Sequence, residues 1–213
     1  MERSKIGFVV GLSAEARLLQ GSGFSVEIGG GLPAGAAHAA ERLIEKNIEA
    51  LISFGLAGGL NPALRPGAIL IPQSVIDAQD VFDCDNELLE ILGAANCKFM
   101  LAWHRIAETA AEKRELFEDT MAEAVDLESG AVARAAAAKG VPFAVLRAVA
   151  DPADRNLPPA ALIALNSGGQ IKISSVLASV FRQPRQIPML LAIAQDAAKA
   201  RHALIEKLKQ ING

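Results

Sequence analysis

Three short stretches of this chain carry residue types that could do chemistry. "AVDLESGAV" (124–132) sets two carboxylates, Asp126 and Glu128, two residues apart among small apolar neighbours. "VLRAVADPADR" (145–155) holds Arg147 and Asp151, with Asp154 and Arg155 close behind. "VVGLSAEAR" (9–17) brings Glu15 and Arg17 directly after an apolar run. A carboxyl group in apolar surroundings keeps its proton nearer neutrality, because burial disfavours the charged form, and it can then serve as an acid. An ionised carboxylate can instead accept two hydroxyl hydrogen bonds at once and orient a polyol. Each stretch also has a simpler reading. Asp126 and Glu128 could complement the positive end of a helix dipole. Asp151 could open an Asp-Pro turn, with Asp154 capping the following helix. Arg147, inside an apolar run, could be a paired structural charge. Separately, Asp126 could be a structural partner for an arginine.

Other chemistries find less support. His38, His104 and His202 stand in no Ser/His/Asp arrangement, and no H-E-x-x-H zinc motif occurs. Cys84 and Cys97, in "FDCDN" and "ANCKF", lack metal-ligand spacing and read as reduced thiols. Gly29, Gly31 and Gly35 approach a dinucleotide fingerprint, but the last interval is one residue too long and no acid follows at the usual distance. "GLAGGL" (55–60) lacks the Lys-Ser/Thr ending of a P-loop; its glycines would let backbone N–H groups come close to an anion or a flat ring.

The elements that must position these residues follow from the hydrophobic pattern. In the 213-residue chain, 51% of residues are hydrophobic but only 4% are aromatic and none is Tyr, so the core must be aliphatic and rich in alanine. Net charge is -3 with no run of Lys or Arg, which argues against a nucleic-acid partner and leaves a small molecule as the expected one. No apolar run reaches the length of a membrane span, and the N-terminus lacks a signal-peptide pattern, so a cytoplasmic location is expected. Apolar runs predict strands over 5–11, 25–31, 50–55, 67–72, 98–102 and 142–151, with another ending at "EAVDL". Between them, helices are predicted from Ser13, over 34–47, over 109–120 with Thr109 and Glu112 as a capping box, and through "SGAVARAAAAKG" to Gly140. The C-terminal part reads as helices, and 80–122 is the least regular part of the pattern. Strands alternating with helices predict an α/β fold, a single domain over 1–213 whose central mixed, partly parallel sheet is flanked by helices. In such sheets ligands bind beyond the carboxyl ends of the strands. "GLSAEAR", "GGGLPAG", "GLAGGLN", "DLES" and "DPADR" each follow a predicted strand, so every unusual polar or glycine-rich feature falls at the same end of the sheet.

In this order the strand-end features resemble the nucleoside phosphorylase and nucleosidase superfamily. "IGFVVGLSAEARLL", "IGGGLPAGAAHAAERLI" and "SFGLAGGL" are similar to its first strand, glycine-rich loop and "GSAGGL" turn; "AVDLESGAVA" and "VLRAVADPAD" are similar to its "VEME" and "RA-x-SD" segments. The resemblance implies a role for each matched residue. Asp151 would be the acid at purine N7 and Glu128 would bind the ribose 2′ and 3′ hydroxyls. Leu127 would pack on the sugar, with Ala57 and Gly58 beside base and sugar. Gly11, Arg17 and Gly30 would bind phosphate, and Glu15 would activate the attacking water in a nucleosidase. It further implies no metal or organic cofactor and a homo-oligomer. Within the superfamily the chain looks most like the hopanoid-biosynthesis-associated phosphorylases. The expected activity is therefore phosphorolysis of a 5′-modified adenosine such as adenosylhopane, with inorganic phosphate as co-substrate and adenine released. The alternatives are hydrolysis of 5′-methylthioadenosine- or S-adenosylhomocysteine-like substrates, and a nucleoside-binding protein without catalysis. The chain departs from the family pattern at Ala150 and Leu56, where the family has serines, and at Ser53, where phosphorylases often place arginine.

Overall fold

A computed structural model describes residues 2–165 and 173–212. The chain begins with β1 (Ile6–Val10), the short α1 (Ser13–Ala16), β2 (Ser25–Ile28), α2 (Pro33–Glu45) and the long β3 (Ala50–Gly59). Next come β4 (Ile69–Leu70), β5 (Pro72–Asp77), β6 (Asp80–Asp83), α3 (Asn86–Ile91), β7 (Cys97–Ala102) and α4 (Ala110–Thr120). β8 (Ala124–Asp126), α5 (Ser129–Lys139) and β9 (Phe143–Asp151) follow, and α6 (Pro159–Leu165), α7 (Ile173–Arg182) and α8 (Ile187–Asn212) complete the described chain.

The strands form one mixed sheet in the order β2-β1-β3-β8-β7-β5-β6, with β9 paired to β3 and β4. β1 lies parallel to β2 and β3, and β9 runs parallel to β3 on its other side. Every residue of β1 is buried, as are the first seven of β9. Continuous rather than alternating burial is what a strand covered on both faces requires. The helices supply that cover, α2 and α5 packing against each other and against the sheet while α8 lies along β9. Alanine makes this close approach possible: Ala36, Ala39 and Ala40 of α2 and Val132, Ala133 and Ala136 of α5 are fully buried.

The expected α/β architecture is thus present, with local corrections. Ser13 is the first residue of α1 rather than its cap, and Leu12 occupies the cap position. Asp154 is exposed and caps no helix; its carboxylate lies 3.8 Å from Arg65 Nη1. The single strand expected over 67–72 divides into β4 and β5, and the irregular stretch 80–122 contains β6, α3, β7 and α4. Thr109 caps α4 as its spacing suggested, accepting the Glu112 N–H at 3.1 Å. The glycine turn expected after residue 55 is instead a continuation of β3 through Gly59, because that half of the strand has partners on both sides, β8 antiparallel and β9 parallel.

Candidate active site

β1, β3, β8 and β9 bring their polar residues to one place. At the end of β1 the chain turns at Gly11 into α1, and Glu15 folds back so that its Oε2 accepts the Gly11 and Leu12 N–H groups, both at 2.9 Å. Its other oxygen accepts the Leu56 N–H of β3 at 3.0 Å. Three backbone donors therefore fix a carboxylate that is only 5% exposed. Leu56 supplies this donor without a hydroxyl.

Beside Glu15 lies Arg147 of β9, with its guanidinium wholly buried. Its Nη2 donates to Ser53 Oγ at 2.7 Å, pairs with Asp126 Oδ2 at 2.5 Å and lies 3.7 Å from Glu128 Oε2. The cluster leaves no room for a side chain at Gly55, where a Cβ would fall 2.5 Å from both Arg147 Nη1 and Glu15 Oε1. Gly11 is constrained in the same way, since its Cβ would lie 2.7 Å from Glu128 Oε2. Asp126 is committed to structure. It accepts the Ser129 hydroxyl at 2.6 Å and the Ser129 N–H at 3.2 Å, at the start of α5, and pairs with Arg147.

Glu128 has fewer obligations. Its Oε1 accepts the Gly31 N–H at 3.2 Å, and Arg147 stands beyond close ion-pair distance. Burial pushes its carboxyl up to about 7; Arg147 opposes this, whereas Glu15 and Asp126 add to it. For Arg147, burial works against its charge, but Asp126, Glu128 and Glu15 together hold the guanidinium above its ordinary range. One cation thus faces three buried carboxylates.

Asp151 stands further along, at the end of β9. A bulge between Ala57 and Gly58 changes the register so that Ala57 faces Val149 while Gly58 faces Asp151. Bulges of this kind re-aim a side chain at the end of a ladder. Here the carboxyl comes to lie over Gly58, whose missing Cβ would be 3.9 Å from Asp151 Oδ2. That oxygen pairs at 2.5 Å with Lys113 of α4, which is fully buried. Oδ1 is buried and has no hydrogen-bond partner. Burial raises the Asp151 pKa above its usual value, with Lys113 as the main opposing influence.

Most of the residues singled out from the sequence therefore assemble around β3. Glu15, Gly11 and Glu128 are in contact, Ala57 is buried in the strand, Leu127 is half-buried beside Glu128, and Gly58 faces Asp151. Gly30 turns the loop at φ +82°, but the N–H that reaches Glu128 belongs to Gly31. Arg17 is not drawn in: it is exposed on the turn after α1, and among the described residues no contact joins it to these carboxylates. All three histidines are exposed. Both thiols are pushed up to about 12 by burial, which leaves them poor nucleophiles. Among the described residues no group of three or more His, Cys, Asp or Glu could hold a metal ion, and no helix is long and apolar enough to cross a membrane. Sequence reasoning missed Lys113. A lone lysine in "AAEKRELFEDT" reads as part of a solvated helix face, and nothing in its spacing distinguishes it from Arg114.

A mixed α/β sheet with acids gathered at strand ends, two of them flanking the glycine-rich half of its longest strand, defines a class of small-molecule sites. Comparison with known proteins makes the class specific. The sequence model of the phosphorylase superfamily matches residues 8–95 and 100–174, and the chain belongs to that superfamily. No protein of curated function matches it in sequence. Among solved structures, the fold is similar to the Helicobacter pylori 5′-methylthioadenosine/S-adenosylhomocysteine nucleosidase, with a TM-score of 0.72, 14% identity and coverage of 97% of this chain and 96% of that one. The corresponding nucleosidase of Neisseria meningitidis gives a TM-score of 0.66 and 18% identity, with 96% and 98% covered. That of Streptococcus pneumoniae gives 0.66 and 15%, again with 96% and 98% covered.

Proposed function

We propose that the protein is a purine nucleosidase, cleaving the N-glycosidic bond of a 5′-substituted adenosine with water and releasing adenine. The single observation that carries this reading is the Glu15 carboxylate, buried and fixed by three backbone N–H groups beside Glu128. A carboxylate held so firmly stays ionised, and it can accept a hydrogen bond from an attacking water and aim that water at C1′. Breaking the C1′–N9 bond moves its electron pair onto the purine, and Asp151 supplies the proton that neutralises the leaving base at N7. The sugar becomes oxocarbenium-like, and nearby carboxylates stabilise its positive charge. Glu128 accepts hydrogen bonds from the 2′ and 3′ hydroxyls, and Leu127 packs on the sugar. The similarity in fold to nucleosidases supports the same reading.

Phosphorolysis is the second reading, favoured by the likeness of "SFGLAGGLNPALRPG" and "RAVADPAD" to the hopanoid-associated phosphorylases. In it, phosphate sits by Gly11, Gly30 and Arg17, and adenosylhopane is the 5′-modified substrate. Charge weighs against it. Arg17 is exposed, Gly11 lies against the carboxylates of Glu15 and Glu128, and the guanidinium of Arg147 is already surrounded by three carboxylates, a poor setting for a phosphate dianion. Adenine release from 5′-methylthioadenosine and from adenosines with larger apolar 5′ groups, measured with and without phosphate, separates the two. Equal rates are expected; strict dependence on phosphate would replace hydrolysis by phosphorolysis. The active species is proposed to be a homo-oligomer formed by a single domain spanning the chain, acting in the cytoplasm.

A further inference from the structure

Lys113 has no role in the reaction as written above, yet it is the most unusual residue near it: a lysine with 0% exposure inside α4. Its ammonium has three N–H groups and three acceptors. It donates to Asp151 Oδ2 at 2.5 Å and to the carbonyl oxygens of Pro152 and Arg155, each at 3.0 Å. The two carbonyls belong to the chain just after β9, so they hold the charge in place whatever the state of Asp151. The other charged groups that act on Asp151 are otherwise engaged. Arg155 pairs with Asp196 at 2.7 Å, and Asp154 is exposed towards Arg65. Ala150, directly before Asp151, has no hydroxyl with which to orient it.

We propose that Lys113 is the built-in counter-ion of the proton donor, a positioning residue that holds Asp151 by one oxygen and stabilises the carboxylate left when the proton departs. This rests on Asp151 acting as the acid. In that step the carboxyl O–H bond breaks, an N–H bond forms at N7, and the C1′–N9 electron pair passes to the purine. An anion is left in a site that burial has already made unfavourable for it. A fixed ammonium meets that anion without reorganisation, which is how preorganised charge lowers a barrier. In the same way it keeps Asp151 acidic enough to part with its proton.

The test is Lys113→Gln, which removes the charge but can still donate to a carbonyl, with Lys113→Arg as the charge-conserving control. In K113Q, kcat for adenine release is expected to fall about 100-fold with KM within about twofold. The alkaline limb of its pH profile should rise by at least one unit, because the acid keeps its proton longer. K113R should recover most of the activity and the limb. Titration of the Asp151 carboxyl by carbon NMR should show the same upward move in K113Q, a readout independent of turnover. If K113Q does not fold, the wild type decides: the Lys113 Nζ resonance should move in step with the Asp151 carboxyl titration, and this movement should vanish in Asp151→Asn. An unmoved Asp151 titration and pH limb in folded K113Q, or a Lys113 Nζ resonance indifferent to the Asp151 titration, would overturn the proposal. Coupling by NMR without adenine release from any adenosine derivative would instead sink the catalytic reading of Asp151 and leave the pair intact.

Discussion

At the residue scale, Glu128 and Asp126 illustrate how two neighbouring carboxylates acquire different duties. Asp126 spends its lone pairs on Ser129 and Arg147, so it has little left to offer a ligand. Glu128 accepts one long hydrogen bond and sits in the same field, which pushes its carboxyl up to about 7. Ribose hydroxyls bind its ionised form best, so kcat/KM for adenine release should rise with pH through about 7. Glu128→Gln should lower kcat/KM by about 100-fold, the scale of losing hydrogen bonds to a charged group, and should flatten that acid limb. A pH profile of both proteins checks this; an acid limb that persists in E128Q would assign the titration elsewhere.

At the scale of elements, the site depends on where α2 meets β2. The carbonyl oxygen of Gly29 would be 1.8 Å from a Cβ on Gly35, and a Cβ on Gly29 would be 2.8 Å from Ala36 Cα. The near-fingerprint of glycines thus serves helix–strand contact, and Gly31, at φ +77°, turns the loop so that its N–H reaches Glu128. Gly35→Ala must push α2 away from β2. It should cost about 3 kcal/mol, at the upper end of overpacking, and raise KM by moving Gly31. Urea unfolding and a KM measurement test this, and an unchanged midpoint would mean that the contact yields at no cost. The bulge opposite Gly58 is the second device at this scale, since without it Ala150 rather than Asp151 would stand across from that glycine.

For the whole molecule, the buried cluster links stability to pH. The Glu128 pKa is raised from 4.5 in an unfolded-like setting to about 7 in the fold. The folded protein therefore binds more protons than the unfolded chain between these values, and stability must fall as pH rises through that window. A shift of that size corresponds to about 3 kcal/mol lost between pH 4.5 and 7, with no further change above it from this group. Comparing wild type with E128Q by urea unfolding at pH 5 and pH 8 isolates the effect. The wild type should lose stability relative to E128Q at the higher pH, and a constant difference would contradict the shift.

Periodicity alone was enough to mark β1, the first half of β3, β9 and α2, because strands covered on both faces appear as unbroken apolar runs and α2 as a long helical one. The rule that ligands lie at strand ends then gathered Glu15, Glu128 and Asp151 together with Arg17, Asp126 and Asp154, and the family resemblance singled out the three. What local pattern could not supply was pairing. The bulge that aims Asp151 exists only because β3 and β9 run side by side, and Lys113 reaches Asp151 across 38 positions of sequence. Arg17, near the same strand end, shows the converse, since proximity along the chain did not bring it to the cluster. Side-chain type and order determined which groups were available, because those are properties of the chain. Which of them lost their water and met a charge was decided by tertiary packing, because desolvation and Coulomb interaction depend on distances that no local stretch of sequence contains.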